Sequence, residues 1–94
     1  MSKQDTLYVM RNTRIPNEFK IGRSQDTLRR KNDLERSQNF SIEILATLPG
    51  AGRYETAIRR ALAHHAVSGV PGREWVYGPL CYILTVVANI VYPH

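Results

Sequence analysis

The chain has 94 residues, of which 43% are hydrophobic and 22% charged, so it is not a largely disordered chain and can form one small domain, residues 1–94. Its single cysteine, Cys81, excludes an internal disulfide and a cysteine-based zinc site. No charged start is followed by an apolar stretch, which excludes a secretory signal and leads us to expect an intracellular protein, in the cytoplasm or nucleoid.

Thirteen lysines and arginines oppose eight acidic residues, which gives a net charge of +5. The basic excess is concentrated between Arg11 and Arg36, and most of it is arginine, which favours bidentate contacts with phosphate. This concentration predicts a nucleic-acid-binding surface. A solvated basic face without a ligand is the alternative interpretation.

Three strands are predicted in chain order. Residues 6–11 are β-branched, aromatic and largely apolar, which favours a central strand. Residues 18–23 alternate polar and apolar after a loop and predict a second strand, antiparallel to the first. Residues 40–48 also alternate and stop at Pro49 and Gly50, as a third strand would.

A basic helix is predicted over residues 27–37, with Ser24 and Asp26 as candidate N-caps. Its apolar stripe is thin, so it should lie on the surface. A helix start beside arginines is typical of an anion-binding site. A second helix is predicted over residues 53–66, with Glu55 at the margin of its apolar face, which consists of Tyr54, Ile58, Ala61, Leu62 and His65.

The chain closes with a short extended piece over residues 73–76 and a last helix over residues 80–91, begun by Pro79. Trp75 in the extended piece is expected to be a core anchor. The last helix is apolar nearly all round, which predicts that it is sandwiched, with a homodimer or a larger partner covering one side. It is too short to span a membrane, which needs about 20 residues.

Five landmarks follow one another over residues 7–76: Leu7-Tyr8-Val9, Lys20-Ile21-Gly22-Arg23-Ser24, Arg30 with Leu34, Glu55, and Arg73-Glu74-Trp75. In this order and at this spacing they resemble the GIY-YIG nuclease superfamily, in particular its small single-domain branch of phage and virus type. The resemblance implies an α+β fold, a three-stranded antiparallel sheet flanked by helices in the order β-β-α-β-α plus a C-terminal helix. A viral member would act in its host cell.

The resemblance implies hydrolysis of DNA phosphodiesters by a metal-dependent endonuclease, with RNA left open as a substrate. Tyr8 matches the tyrosine of the first motif, Gly22 the closing glycine of the second, and Arg30 the catalytic arginine. Glu55 matches the glutamate that binds Mg²⁺ or Mn²⁺, a hard cation that prefers oxygen ligands. Lys20 joins the catalytic set, and the expected nucleic-acid contacts are Arg11, Arg23, Arg29 and Lys31.

Two departures from the family pattern keep a second hypothesis open. Lys20 stands where the second motif usually begins with tyrosine, and the late asparagine of the family has no match. The alternative is a catalytically silent nucleic-acid-binding or assembly module of the same fold. Arg29 replaces Arg30 as the catalytic match if the register shifts by one, and Glu55 by itself is also typical of a first helical turn.

Overall fold

The computed structural model describes residues 5–65 and 75–93 of the chain. The first half contains the strands β1 (Thr6–Asn12) and β2 (Glu18–Ser24), the helix α1 (Thr27–Gln38) and the strand β3 (Ile42–Pro49). The second half contains the helix α2 (Glu55–Ala61), the strand β4 (Trp75–Tyr77) and the helix α3 (Leu80–Val91). Short 3-10 turns flank α2, at Gly52–Tyr54 and Ala63–His65.

The strands form one antiparallel sheet in the order β3-β1-β2-β4. The α+β class and the central position of β1 are confirmed, but the expectation of three strands is wrong. Trp75 of β4 pairs with Lys20, which adds a fourth strand at the outer edge of β2. The extended conformation near Trp75 was predicted, but its membership of the sheet was not. Three residues are too few to establish a period, and the pairing joins segments far apart in sequence, so local patterning could not reveal the fourth strand.

The apolar character of β1 has a simple cause, because helices cover both faces of the sheet. Leu7 and Val9 point to a core that β2 shares with α2 and α3. Tyr8 and Met10 point to the opposite face, which α1 covers. Successive side chains of a strand alternate between faces, so a strand with two covered faces needs apolar residues at nearly every position.

The two cores differ in size. The larger core lies between the sheet and the helices α2 and α3, and its fully buried residues include Phe19, Ile21, Ile58, Leu62 and Ile83. The smaller core lies under α1, which contributes one buried residue, Leu34. Trp75 is buried there with its ring edge against Phe40, at 5.6 Å between centroids, so its predicted role as a core anchor is confirmed.

The second predicted helix is shorter than expected. Ile58 and Leu62 are buried as predicted, but Ala61 is exposed and the helix gives way to a 3-10 turn. Ile58 and Leu62 lie one helical turn apart, so the seven residues of α2 and its C-cap already bring both anchors to the core. His65 packs beside the ring of Tyr82 from α3 instead, and residue 66 lies outside the described residues.

Helix α3 has the predicted bounds, and the described residues cover one of its sides. Ile83 and Val87 are buried against the sheet, whereas Tyr82 and Leu84 are exposed, so the described chain covers only one side of the helix. The homodimer or docked partner stays a prediction. None of the helices within residues 5–65 and 75–93 has the length and apolar character needed to cross a bilayer.

Candidate functional site

Three strand ends and two helix starts meet at one end of the sheet, called here the site end. Thr6 of β1 lies opposite Ser24 of β2 and Pro49 of β3. The chain enters α1 just after β2 and enters α2 just after β3, so both helices begin near this end. The opposite end, where Asn12 pairs with Ile42, is called the far end.

Tyr8 and Gly22 face each other across β1 and β2, and the tyrosine ring lies directly over the glycine. A Cβ atom placed on Gly22 would lie 2.5 Å from Tyr8 Cζ and closer still to its hydroxyl oxygen. Atoms cannot approach that closely, so glycine is required for the ring to lie across β2. The sequence motif Lys-Ile-Gly therefore has a packing cause in the structure.

Lys20 shares the sheet face of Tyr8. It pairs with Met10 in β1 and with Trp75 in β4, and only 4% of the residue is exposed. Lys20 and Tyr8 are diagonal neighbours, which on one face of an antiparallel pair is within reach of long side chains. Tyr8, Gly22 and Lys20 therefore lie on the sheet face that α1 covers, and not on the surface of the protein.

Glu55 is the first residue of α2, and its carboxylate is held between two arginines. Arg59, one turn later, donates from Nη1 to Oε1 at 2.8 Å, and Arg23 Nε lies 3.6 Å from Oε2. Only 12% of the Glu55 side chain is exposed. Arg23 pairs with Leu7 in the register, which places this cluster on the α2 and α3 face, opposite Tyr8.

Asp5 and Gly52 complete the cluster on its outer side. The Gly52 N–H donates to the Asp5 carbonyl oxygen at 3.2 Å, and Asp5 Oδ2 lies 3.8 Å from Arg23 Nη1. A Cβ atom on Gly52 would lie 2.5 Å from Asp5 Cβ, so glycine lets the chain before α2 approach β1. The i,i+4 spacing could have revealed Arg59. No local signal could have revealed Asp5, because its backbone contact with Gly52 spans more than 40 residues of sequence.

An open groove of about 360 Å³ runs between the β2–α1 turn and α1. Arg29 and Arg30 both line this groove, so it gives no reason to prefer one over the other as the catalytic match. Arg30 lies one helical turn before the buried Leu34, on the flank of α1.

Asp26 is the N-cap of α1, and its carboxylate accepts the Arg29 N–H at 3.1 Å. Ser24, the other candidate, supports the turn by accepting the Asp26 N–H at 3.0 Å. The predicted anion site at the helix start therefore already contains a carboxylate. Phosphate contacts in the groove must come from the guanidinium groups of Arg29 and Arg30 instead.

Two of the predicted nucleic-acid contacts lie away from this end. Arg11 donates to Glu43 at 2.8 Å across β1 and β3, about 17 Å along the strand from Thr6 at roughly 3.3 Å per residue. Lys31 is paired with Glu35 at 3.1 Å within α1. Both residues are partly exposed, but the structure does not bring them into the groove or the Glu55 cluster.

Glu35 itself has a structural role. Its carboxylate accepts the backbone N–H of Ile42 at 2.8 Å, which ties the end of α1 to the start of β3 at the far end of the sheet. This backbone hydrogen bond, with Lys31 beside it, lowers the pKa of the Glu35 carboxyl below its ordinary value. The same bond satisfies an edge-strand donor that would otherwise face solvent.

Few side chains in the described part of the chain are placed to bind a metal ion. Nowhere in residues 5–65 and 75–93 do three His, Cys, Asp or Glu side chains lie close enough to hold an ion. Glu55 supplies hard carboxylate oxygens, the donor type that Mg²⁺ prefers, and water and phosphate oxygens could complete its shell. The donor chemistry fits, although both oxygens face arginines here. Residues 73 and 74, the late landmarks, lie outside the described residues.

Comparison with known proteins gives one match. The T5orf172 domain family matches residues 5–91, a range that includes every strand and helix described above. No curated protein and no solved structure matches the chain.

Proposed function

The chain belongs to the T5orf172 domain family, which is associated with nucleases, and from this premise we propose that it is a metal-dependent endonuclease of GIY-YIG type acting on DNA. The family match by itself points to a nuclease-like or DNA-binding role. The specific reaction, hydrolysis of a phosphodiester bond, is our proposal and is argued from the arrangement of the side chains.

The observation that carries the proposal is the packing of the Tyr8 ring over Gly22. A tyrosine in an ordinary strand does not need a glycine opposite it. Here the first-strand tyrosine and the second-strand glycine depend on each other sterically, and Lys20 lies diagonally beside them on the same face. This is the pair of landmarks on which the resemblance to the nuclease superfamily begins.

The protein side chains divide the proposed chemistry among them. The guanidinium of Arg30, or of its neighbour Arg29, would bind the non-bridging oxygens of the scissile phosphate from the groove. The Tyr8 side chain would orient the attacking water and, in its ionised form, would accept the proton that the water loses. Lys20 would assist it, because a cation beside a phenol favours the ionised form.

Glu55 would hold the divalent cation, which when bound neutralises the charge that develops on the phosphate. Glu55 and Tyr8 lie on opposite faces of the sheet. A phosphate that engages both must therefore sit at the site end, where β1 starts and β2 ends, rather than over either face. This placement predicts that the scissile bond lies beside the β2–α1 turn.

The test is cleavage of supercoiled, branched and single-stranded DNA with Mg²⁺ or Mn²⁺ and with a chelator. Glu55→Gln should reduce cleavage by about 100-fold or more, the usual scale for removing a group that stabilises the transition state, while DNA binding is kept. Glu43→Gln is the matched control, because it removes a carboxylate from an exposed ion pair at the far end. Full metal-dependent cleavage by Glu55→Gln would overturn the assignment.

A second function is favoured by a different observation. Both carboxylate oxygens of Glu55 face arginines, and Tyr8 and Lys20 are almost entirely buried. This state suits a nucleic-acid-binding module that keeps the fold without the chemistry. The same assay separates the two functions, because the module would bind DNA with no turnover in either metal.

A further inference from the structure

Arg23 joins two carboxylates that come from different parts of the chain. Its Nε lies 3.6 Å from Glu55 Oε2, and its Nη1 lies 3.8 Å from Asp5 Oδ2. Both distances exceed that of a charge-assisted hydrogen bond, about 2.8 Å. Because the Arg23 side chain is also 55% exposed, solvent and salt screen these contacts. Arg23 is therefore held near Glu55 by charge alone.

Arg59 holds the same carboxylate in a different way. It donates to Glu55 Oε1 at 2.8 Å, from one turn along the same helix. That bond is short and local, so it fixes the orientation of the carboxylate without help from the rest of the fold. Of the two cations on Glu55, Arg59 thus makes the shorter and less exposed contact and Arg23 the longer and more exposed one.

A phosphate group would compete well for Arg23. Guanidinium groups bind phosphate through two short parallel hydrogen bonds, which are stronger than a screened pair at 3.6 Å. Arg23 does not line the groove, but it lies at the site end directly before Ser24, so the phosphate that would engage its exposed guanidinium lies over the end of β2. Once Arg23 turns to a phosphate, Glu55 and Asp5 lose their shared cation.

We propose that Arg23 is an exchangeable counter-ion that couples nucleic-acid binding to divalent-cation binding at Glu55. In the free protein Arg23 neutralises Glu55 and keeps its cation affinity low. A backbone phosphate draws Arg23 away, and the exposed negative charge then binds the cation more tightly. This inference rests on the proposed role of Glu55 as the cation ligand and adds a mechanism by which the site is completed only on its substrate.

Thermodynamic linkage makes the coupling measurable from both sides, because the cation must raise nucleic-acid affinity by the same factor. The first experiment titrates Mn²⁺ into the full chain without DNA and follows free Mn²⁺ by electron paramagnetic resonance. Arg23→Gln should bind Mn²⁺ about tenfold more tightly than the wild type, a typical coupling magnitude. The double variant Arg23→Gln, Glu55→Gln should lose that gain.

The matched control is Arg11→Gln. It removes the same charge and also releases a carboxylate, that of Glu43, but on the exposed far end of the sheet. A general effect of net charge would raise Mn²⁺ affinity equally in Arg11→Gln and Arg23→Gln, and that result would overturn the proposal. Circular dichroism on each variant confirms that the fold is retained before the affinities are compared.

The second experiment measures binding of a fluorescent oligonucleotide by anisotropy, with and without Ca²⁺ at constant ionic strength. Ca²⁺ should raise wild-type affinity about five- to tenfold, and this factor should be smaller in Arg23→Gln, where only direct contact between cation and phosphate is left to couple the two, even though that variant binds DNA more weakly overall. An equal Ca²⁺ effect in the two proteins would overturn the proposal.

The two proposals fail differently. Metal-dependent cleavage with no coupling at Arg23 would overturn the exchange alone and leave the nuclease in place. Absence of cation binding at Glu55, with or without DNA and in every variant, together with absence of cleavage, would overturn both.

Discussion

Each end of the sheet contains a glutamate paired with arginine, but the two glutamates differ in exposure. At the far end Arg11 and Glu43 pair at 2.8 Å, with 40% and 49% of their side chains exposed. At the site end Glu55 is almost enclosed and meets two arginines. An exposed pair contributes little to stability, whereas an enclosed carboxylate must be neutralised. The site end is therefore the part of the sheet where an enclosed carboxylate needs neighbouring cations to offset its lost hydration.

Two glycines, Gly22 and Gly78, also differ in how closely other atoms approach them. Gly22 lies under the Tyr8 ring with no room for a side chain, whereas Gly78, beside β4 at the far end, has only ordinary contacts, the nearest being His65 Nδ1 at 3.6 Å. The close approach at Gly22 therefore reflects its contact with the Tyr8 ring, and Gly52, against Asp5, is the other described glycine that leaves no room for a side chain.

The largest expected effect follows from that contrast. Gly22→Ala should lower the free energy of unfolding by about 3 kcal/mol, because the new methyl group forces the Tyr8 ring out of its place. Gly78→Ala should change it by less than about 0.5 kcal/mol. Urea denaturation measures both values.

Adding Tyr8→Leu to Gly22→Ala tests the cause, since a shorter side chain relieves the clash. The double variant should be more stable than the sum of the two single changes predicts. Strict additivity would show that the loss does not come from the contact between Tyr8 and Gly22.

A smaller effect is expected from the two glutamates. Glu55→Gln should cost about 1 kcal/mol, because it leaves Arg23 and Arg59 facing each other without a carboxylate. Glu43→Gln should cost less than about 0.5 kcal/mol, as for other exposed pairs. Thermal or urea unfolding at low salt measures the difference, and equal values would remove the energetic distinction between the two ends.

The smallest effect concerns pH and belongs to the far end. The pKa of Glu35 is lowered in the folded chain, chiefly by the Ile42 N–H. The stability that this carboxylate contributes is therefore present above its ordinary pKa of about 4.5 and is lost as the pH falls through the lower folded value. Urea unfolding between pH 7 and pH 3 should show a weaker decline in Glu35→Gln than in the wild type.

Lys31→Gln is the control for that measurement. It removes the neighbouring cation but keeps the Ile42 hydrogen bond, which is the larger cause of the lowered pKa. Most of the acid sensitivity should remain in Lys31→Gln, and an identical pH profile for the wild type and Glu35→Gln would contradict the role assigned to Glu35.

The elements of the fold were readable from sequence to different degrees. The bounds of α3 and the central position of β1 followed from local composition alone. An extended piece around Trp75 was also predicted, but its place as strand β4 beside β2 was not, because that pairing joins segments far apart in sequence. The length of α2 was overestimated because the helical period continues past Ala61, whereas the backbone changes there to a 3-10 turn, which a period cannot reveal.

For the candidate site, too, the sequence predicted one part and the tertiary structure decided the other. The sequence by itself predicted Tyr8, Gly22 and Glu55 as site residues, because they stand in order among the landmarks of the family resemblance. Only the tertiary structure decided that Glu55 lies with Arg23 on one face and Tyr8 on the other, and that Asp5 joins the cluster. The physical reason is that a motif fixes chemistry and local conformation, whereas strand register and helix packing decide which distant groups meet.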